Sequence, residues 1–293
     1  MIKISTFYKF TTIDAGRLGS LKDELTAEAQ RLHIHGLLLI GTEGCNATIS
    51  GEEDKLNQYK SYLQSLTEIG ELVFKESEND KHPFRRFKVD IREEIVTLKD
   101  PNAVPEKLKN NHLSPAEWQQ VLESDEDILL LDTRNFYETE IGLFKGATDL
   151  QMKKFSDFPE KVKELNLPKE KKVLMYCTGG IRCEKAILDM QKQGYENVFQ
   201  LDGGILKYLE EYPSKDFHGE CFVFDHRVSV DQNLEPSKKY KLCPHCGNPA
   251  DLEIKCILCE KDAKVCQRCV QKDALNTCSK NCAHHAGVRG LRA

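Results

Sequence analysis

Two sets of cysteines in this 293-residue chain have the spacing to do chemistry. The first is the run Val173-Leu-Met-Tyr-Cys-Thr-Gly-Gly-Ile-Arg-Cys183. An apolar strand ends at Cys177, and a glycine loop leads from it directly into a helical pattern. In parallel α/β sheets ligands bind at the carboxyl ends of strands. A thiol placed there faces the positive end of the following helix and the amides of the loop, and Arg182 adds a fixed cation. All three favour the thiolate, the form that attacks electrophiles or carries a sulfane sulfur. Cys177, Arg182 and Cys183 are therefore the candidate catalytic residues, and Thr178, Gly179, Gly180 and Ile181 the candidate anion-binding loop. The alternative, a small buried cysteine at a strand end, does not require Gly-Gly and Arg beside it. Cys183 has two readings: it resolves a sulfenate or persulfide on Cys177 as a disulfide, or it packs into the first turn of the helix.

The second set is Cys243-x2-Cys246-x9-Cys256-x2-Cys259-x6-Cys266-x2-Cys269-x8-Cys278-x3-Cys282. Eight thiols match two closed, structural zinc sites, because a polar segment this short cannot bury enough apolar surface to fold alone. Spacing does not tell whether neighbouring pairs share a metal or alternate, and an iron–sulfur cluster is a further reading of the same ligands. From Ser237 onward eleven Lys and Arg stand against five acids, +6, which leaves −11 on the rest of a chain whose net charge is −5. That basic tail is either a phosphate-binding surface or a solvated, metal-folded segment.

The remaining sequence supplies the elements that must hold these groups. Ile2–Phe10, Ala15–Leu32, Gly36–Ile40, Ala47–Ser50, Glu52–Leu66, Leu72–Phe74 and Phe87–Leu98 alternate strand and helix patterns in the manner of a split βαβ, ferredoxin-like or acylphosphatase-like α+β sandwich over residues 1–98. Gly41-Thr-Glu-Gly-Cys-Asn46 between its strands is a hairpin turn or a close backbone approach to a ligand. Residues 99–113 read as a linker. Ser114, Pro115 and Glu117 form a capping-box signal that opens a second unit over 114–216. There helices at 115–122, 155–165 and 182–194 alternate with strands at 128–131, 173–176 and 198–201, which predicts a parallel sheet covered on both faces. Residues 217–293 hold an apolar return segment, with Cys221 as a core residue, and the cysteine-rich tail. The longest apolar run, Gly36 to Ile40, is far short of the ~20 residues of a membrane span. Met1 to Phe10 carries no apolar signal core. With metal-type cysteine spacing, the expectation is a cytoplasmic protein without membrane contact.

Asp132-Thr-Arg134, Tyr137 to Ala147, the Cys177 loop and Leu201-Asp-Gly-Gly-Ile205 together resemble a rhodanese domain. Related phosphatases have a Cys-x5-Arg loop, whereas only four residues separate Cys177 from Arg182, which resembles the persulfide-sized sulfur-transfer form and argues against a phosphatase. Gly41 to Gly51, Cys177 to Lys185 and Phe217 to Val228 extend the resemblance to the bacterial rhodanese-like tRNA uridine hydroxylases. That resemblance implies conversion of the wobble uridine of tRNA to 5-hydroxyuridine, molecular oxygen as co-substrate, Cys177 as the essential residue and the anticodon stem-loop as partner. Cys45 and Ala47 depart from the family, where Ile and Gly are common. Asp132 and Arg134 are expected to position the loop. Phe84-Arg-Arg-Phe-Lys88 mixes cations with rings, so Arg85, Arg86 and Lys88 are candidate RNA contacts, the other reading being an ordinary edge strand. Two rival functions are a sulfurtransferase that passes persulfide sulfur to a protein or tRNA, and a zinc-containing RNA-binding scaffold.

Overall fold

A computed structural model describes residues 1–105, 111–273 and 276–288. Arg289 and Arg292 of the basic tail, and the side chain of Lys272, lie outside the described residues.

The first unit runs β1 (Ile2–Phe10), α1 (Leu18–Arg31), β2 (His35–Gly41), β3 (Gly44–Gly51), α2 (Glu53–Ser65), β4 (Lys75–Asn79) and β5 (Phe87–Ile91). Its sheet has the order β4-β1-β3-β2-β5, with β5 parallel to β2 and every other pair antiparallel. Period-two alternation divides the sheet between two tasks. Phe7, Leu38, Ile40 and Ile49 join Leu21, Leu25, Leu56, Tyr59 and Leu63 of the helices in a buried core. Thr6, Tyr8, Leu37, Leu39, Asn46 and Thr48 point the other way, into a cavity shared with the second unit.

Two expected strands shift. The strand expected at Leu72–Phe74 begins instead at Lys75, with Leu72 and Phe74 packed against the core. Lys75–Asn79 is polar because it is an edge strand with one wetted face. The run expected to stay extended from Phe87 to Leu98 ends at Ile91, because the Glu94 carboxylate accepts from the Leu98 and Lys99 N–H groups at 3.0 and 2.8 Å and folds the chain into a turn.

The second unit begins with β6 (His112–Leu113), inside the segment expected to be a linker, which pairs parallel with a later strand. There follow α3 (Pro115–Leu122), β7 (Ile128–Asp132), α4 (Phe136–Thr139), β8 (Gly142–Phe144), β9 (Thr148–Asp149), α5 (Phe158–Leu165), β10 (Lys172–Tyr176), α6 (Ile181–Lys192), β11 (Val198–Leu201), α7 (Gly204–Glu211) and β12 (Phe217–Gly219). Ser114 caps α3, accepting from the Glu117 N–H at 3.3 Å while the Glu117 carboxylate accepts from the Ser114 N–H at 2.8 Å. The sheet order is β6-β11-β10-β7-β9, parallel throughout. Helices α3 and α7 bury Trp118, Ile205 and Tyr208 against one face, and α5 and α6 bury Phe158, Ala186 and Met190 against the other.

A buried cluster joins the two units. Lys185 Nζ lies 2.7 Å from Glu43 Oε2 and 2.7 Å from Glu94 Oε2. The Gly41–Asn46 segment is thus a hairpin turn whose carboxylate is a strut to α6. The third unit consists of β13 (Cys221–Phe222), β14 (Ser229–Val230), β15 (Lys241–Leu242), β16 (Pro249–Ala250), β17 (Leu252–Lys255), β18 (Asp262–Val265), α8 (Gln267–Asp273) and α9 (Lys280–Val288). Its own core holds little besides Ala250, Val265 and cysteines. Among the described residues no helix is long and apolar enough to cross a membrane.

Candidate active site

Cys177 follows β10 directly and lines a cavity of about 500 Å³ between the open face of the first sheet and the second unit. The loop after it is tightly fixed. The Gly180 N–H donates to Cys177 Sγ at 3.0 Å. The N-terminus of α7 packs underneath, with the Ile205 and Leu206 N–H groups donating to the Cys177 and Thr178 carbonyls at 3.0 and 3.1 Å. This contact explains the Asp-Gly-Gly run. At Gly204 φ is +67°, and a Cβ would stand 2.6 Å from the Cys177 carbonyl oxygen. Gly180, at φ +98°, opens α6 and leaves room for the Tyr8 hydroxyl, 3.0 Å from where a Cβ would be. Tyr8 in turn donates to Glu184 Oε1 at 2.9 Å.

Burial alone would push the Cys177 thiol up. A hydrogen bond from the Cys183 thiol, the Arg182 charge and the Arg182 and Gly179 N–H groups overcome that and bring it down to about 5. Cys183 is fully buried, 3.5 Å from Thr133 Oγ1, and its own pKa is pushed well up by burial and by Cys177. It therefore stands as a neutral donor to a thiolate, placed both in the first turn of α6 and against Cys177.

Arg182 does not face the thiolate alone. Its Nη1 and Nη2 donate to Glu138 Oε2 and Oε1 at 2.6 and 2.8 Å, and both side chains are buried. Thr178 Oγ1 adds a 3.4 Å bond to the same carboxylate. Despite its burial, Glu138 is held below the ordinary carboxylate range by Arg182 and by Arg134. Glu138 was missed among the candidate residues. Its signal was its place in the Tyr137 to Ala147 segment, three residues after Asn135, where a helix would be capped; its carboxylate accepts from the Asn135 N–H at 3.1 Å.

Asp132 and Arg134 lie beneath the cavity in a fully buried pair, with Arg134 Nη2 2.7 Å from Asp132 Oδ2 and 2.6 Å from the Gly142 carbonyl. They orient β7 and the turn after it. A third matched cation comes from the return segment: Arg227 Nη2 donates to Asp225 Oδ2 at 2.7 Å, and its Nη1 reaches Ser77 Oγ at 2.9 Å, tying this segment to β4 on the cavity wall. Val228 beside it takes φ +71°, a strained conformation for a β-branched residue. Cys221 and Cys45 are core residues, both raised by burial to about 12.

Phe84 lines the cavity, while Arg85 and Arg86 are exposed beside it and make no ion pair among the described residues. Lys88 lies on β5, an edge strand, paired with Asp90 at 2.8 Å. Phe224 stands at the cavity rim, 58% exposed.

The family models agree with this layout. An acylphosphatase-like domain of the UPF0176 type matches residues 2–95, a rhodanese-like domain 114–211 and a rhodanese C-terminal domain 218–283. A tRNA uridine(34) hydroxylase of Bdellovibrio bacteriovorus is 46% identical over 96% of this chain and 80% of its own length. The chain belongs to the tRNA uridine(34) hydroxylase family. Further members from a Picosynechococcus and from Agrobacterium fabrum are each 41% identical, covering 92% and 86% of this chain and 90% and 80% of theirs. Among solved structures, a rhodanese-like domain from Anabaena is 18% identical with a TM-score of 0.33, covering 38% of this chain and 80% of that one.

The tail cysteines form two tetrads. Cys243 and Cys246 meet Cys266 and Cys269, and Cys256 and Cys259 meet Cys278 and Cys282, with the sulfurs of each set within 4.8 Å of one another. The pairs alternate, as in a cross-brace. With Zn–S bonds near 2.3 Å, a tetrahedral site places its sulfurs about 3.8 Å apart. Cys246–Cys266, Cys259–Cys278 and Cys259–Cys282 stand at 3.5, 3.5 and 3.8 Å. The donor sets fit zinc, and with four thiolates per ion each site would be closed and structural. His245 is no ligand; its Nε2 lies 2.8 Å from the Thr277 carbonyl. Arg268 on α8 docks the tail to the second unit, 3.0 Å from Glu140 and 3.7 Å from the Phe136 ring centroid.

Proposed function

We propose that this chain hydroxylates uridine 34 of tRNA in the cytoplasm, with molecular oxygen as co-substrate and Cys177 as its reactive residue. The observation that carries the reading is the Cys177 thiolate in a cavity of about 500 Å³ in a chain of this family. A cavity of that size suits one extruded nucleoside. Its walls are largely apolar, with Leu37, Leu39, Phe84 and Phe224 available to a base, and the bases of an anticodon loop can be splayed out and stacked on such rings. In this reading Arg85 and Arg86 meet the anticodon stem-loop backbone, and the basic, zinc-braced tail contributes further phosphate contacts. Cys183 keeps Cys177 ionised, Arg182 and Glu138 hold the loop, and Asp132 with Arg134 fixes the strand end beneath it.

The test is nucleoside mass spectrometry of tRNA from cells lacking the gene, complemented with wild-type chain or Cys177→Ser. Restoration of 5-hydroxyuridine by the wild type alone is expected. Unchanged 5-hydroxyuridine with loss of a thiolated nucleoside would replace this reading with sulfur transfer, whose chemistry at the short Cys177 loop begins from the same thiolate.

A further inference from the structure

We infer that Lys75 is a further substrate-contacting residue of this site, its ammonium donating to an electron-rich oxygen of the uracil ring held against Cys177. The inference rests on the hydroxylase reading above and concerns a residue on β4, far from the cysteine loop in sequence. The strand's alternation explains its direction. Glu76 faces away, accepting from Ser5 and Lys60, while Lys75 and Ser77 share the opposite face of the strand, Ser77 bonded to Arg227 of the third unit. Lys75 lines the same cavity as Cys177, its Nζ 5.0 Å from the centroid of the Tyr8 ring that packs on the Gly180 loop.

What separates Lys75 from the other cations of the cavity wall is charge matching. Arg182 is held bidentately by Glu138, and Arg227 is held by Asp225. Lys99 and Lys154 also line the cavity, but both are exposed to solvent. Among the described residues Lys75 makes no ion pair and no side-chain hydrogen bond, whereas Arg182 and Arg227 are each held by a carboxylate. Its part-buried ammonium has lost some of its water without gaining an acceptor, and the acceptor it lacks is one a ligand can bring. Burial lowers its pKa, Lys207 lowers it further, and the negative charges of Cys177, Asp202 and Glu184 raise it. The uracil carbonyl oxygens are acceptors of the right kind, and O4 gains negative charge when a nucleophile adds to C6 and the C5–C6 electron pair shifts into the C4 carbonyl as an enolate. A charge-assisted hydrogen bond to such an oxygen strengthens as that charge develops.

The experiment compares wild type, Lys75→Met and Lys75→Arg in gene-deleted cells by tRNA nucleoside mass spectrometry, with the purified proteins assayed for binding to an anticodon stem-loop RNA and for Cys177 alkylation against pH. Lys75→Met should lower 5-hydroxyuridine at least tenfold, leave RNA affinity within about threefold, and raise the alkylation midpoint by well under one unit; Lys75→Arg should retain part of the product. Unchanged 5-hydroxyuridine in Lys75→Met overturns the inference, as does a rise in the alkylation midpoint of a unit or more, which makes Lys75 a counterion of the thiol. If Lys75→Met fails to fold, Lys75→Gln takes its place with the same outcomes. A wild type that restores no 5-hydroxyuridine would instead overturn the hydroxylase reading itself.

Discussion

Arg182 and Glu138 form a buried bidentate pair, with Nη1 2.6 Å from Oε2 and Nη2 2.8 Å from Oε1. The arginine of the cysteine loop is therefore matched before any substrate arrives. Breaking a buried pair by removing one partner leaves an uncompensated charge and costs about 3–5 kcal/mol. Glu138→Gln should lower thermal stability by an amount of that order. It should also move the Cys177 midpoint further down, because the Arg182 charge is no longer opposed. Thermal unfolding and the pH profile of alkylation check both; a midpoint that rises would show that Glu138 is not screening Arg182.

The thiolate itself sets a second expectation. With Cys177 near 5, iodoacetamide alkylation should rise with pH through a midpoint close to 5 and be level by pH 7. Activity that depends on the thiolate is then lost as pH falls through that value. Arg182→Met removes the cation and leaves Glu138 unpaired, so the midpoint should rise by about 1–3 units. A Cys183→Ala variant should also raise it, since the Cys183 thiol is the first of the groups that lower Cys177.

Much of this site was legible in the sequence because local rules placed it. The strand–cysteine–glycine–helix order put Cys177 at the carboxyl end of a strand before a helix start, and the capping box at Ser114 and Glu117 marked the second unit's beginning. What stayed hidden depends on side chains meeting across the fold. Glu138 lies 44 residues from Arg182, and Lys75 faces the cavity only because β4 pairs with β1 at the sheet edge. A polar strand with one wetted face carries too weak a hydrophobic pattern to be seen, which is why it was expected three residues early. Glu43 read as part of a turn, and only the docking of α6 makes it a strut.

Lys185 gives that strut its own test. Its ammonium is fully buried between Glu43 and Glu94, and Lys185→Met would strand two carboxylates in a dry interface. The expected cost is about 3–5 kcal/mol. Glu94 is depressed in the folded state despite its burial, by Lys185 and the Leu98 and Lys99 N–H groups. A depressed carboxylate contributes stability above its unfolded pKa and loses it as pH falls through the folded one. Wild-type stability should therefore decline on acidification below about pH 4.5, and Lys185→Met should show a weaker decline, because Glu94 without its cation gains from protonation. Urea unfolding midpoints between pH 3 and 7 decide the matter; parallel curves would mean that Lys185 does not hold Glu94 ionised.

The cross-brace makes a prediction that sequential pairing does not. If Cys243 and Cys246 share a metal with Cys266 and Cys269, then Cys243→Ser weakens one site and frees three thiols, two of them more than twenty residues further on. Elemental analysis should find about two zinc ions per wild-type chain and about one in the variant. Maleimide labelling followed by peptide mapping should then show Cys246, Cys266 and Cys269 newly reactive while Cys256, Cys259, Cys278 and Cys282 remain protected. Sequential pairing would instead expose Cys256 and Cys259 and spare Cys266 and Cys269. Since the tail's core holds little besides Ala250, Val265 and the cysteines, full zinc removal by a chelator should unfold the segment from β15 onward. The Arg268 contact to Glu140 and Phe136 would go with it, while the Cys177 alkylation profile, set within the second unit, should stay unchanged.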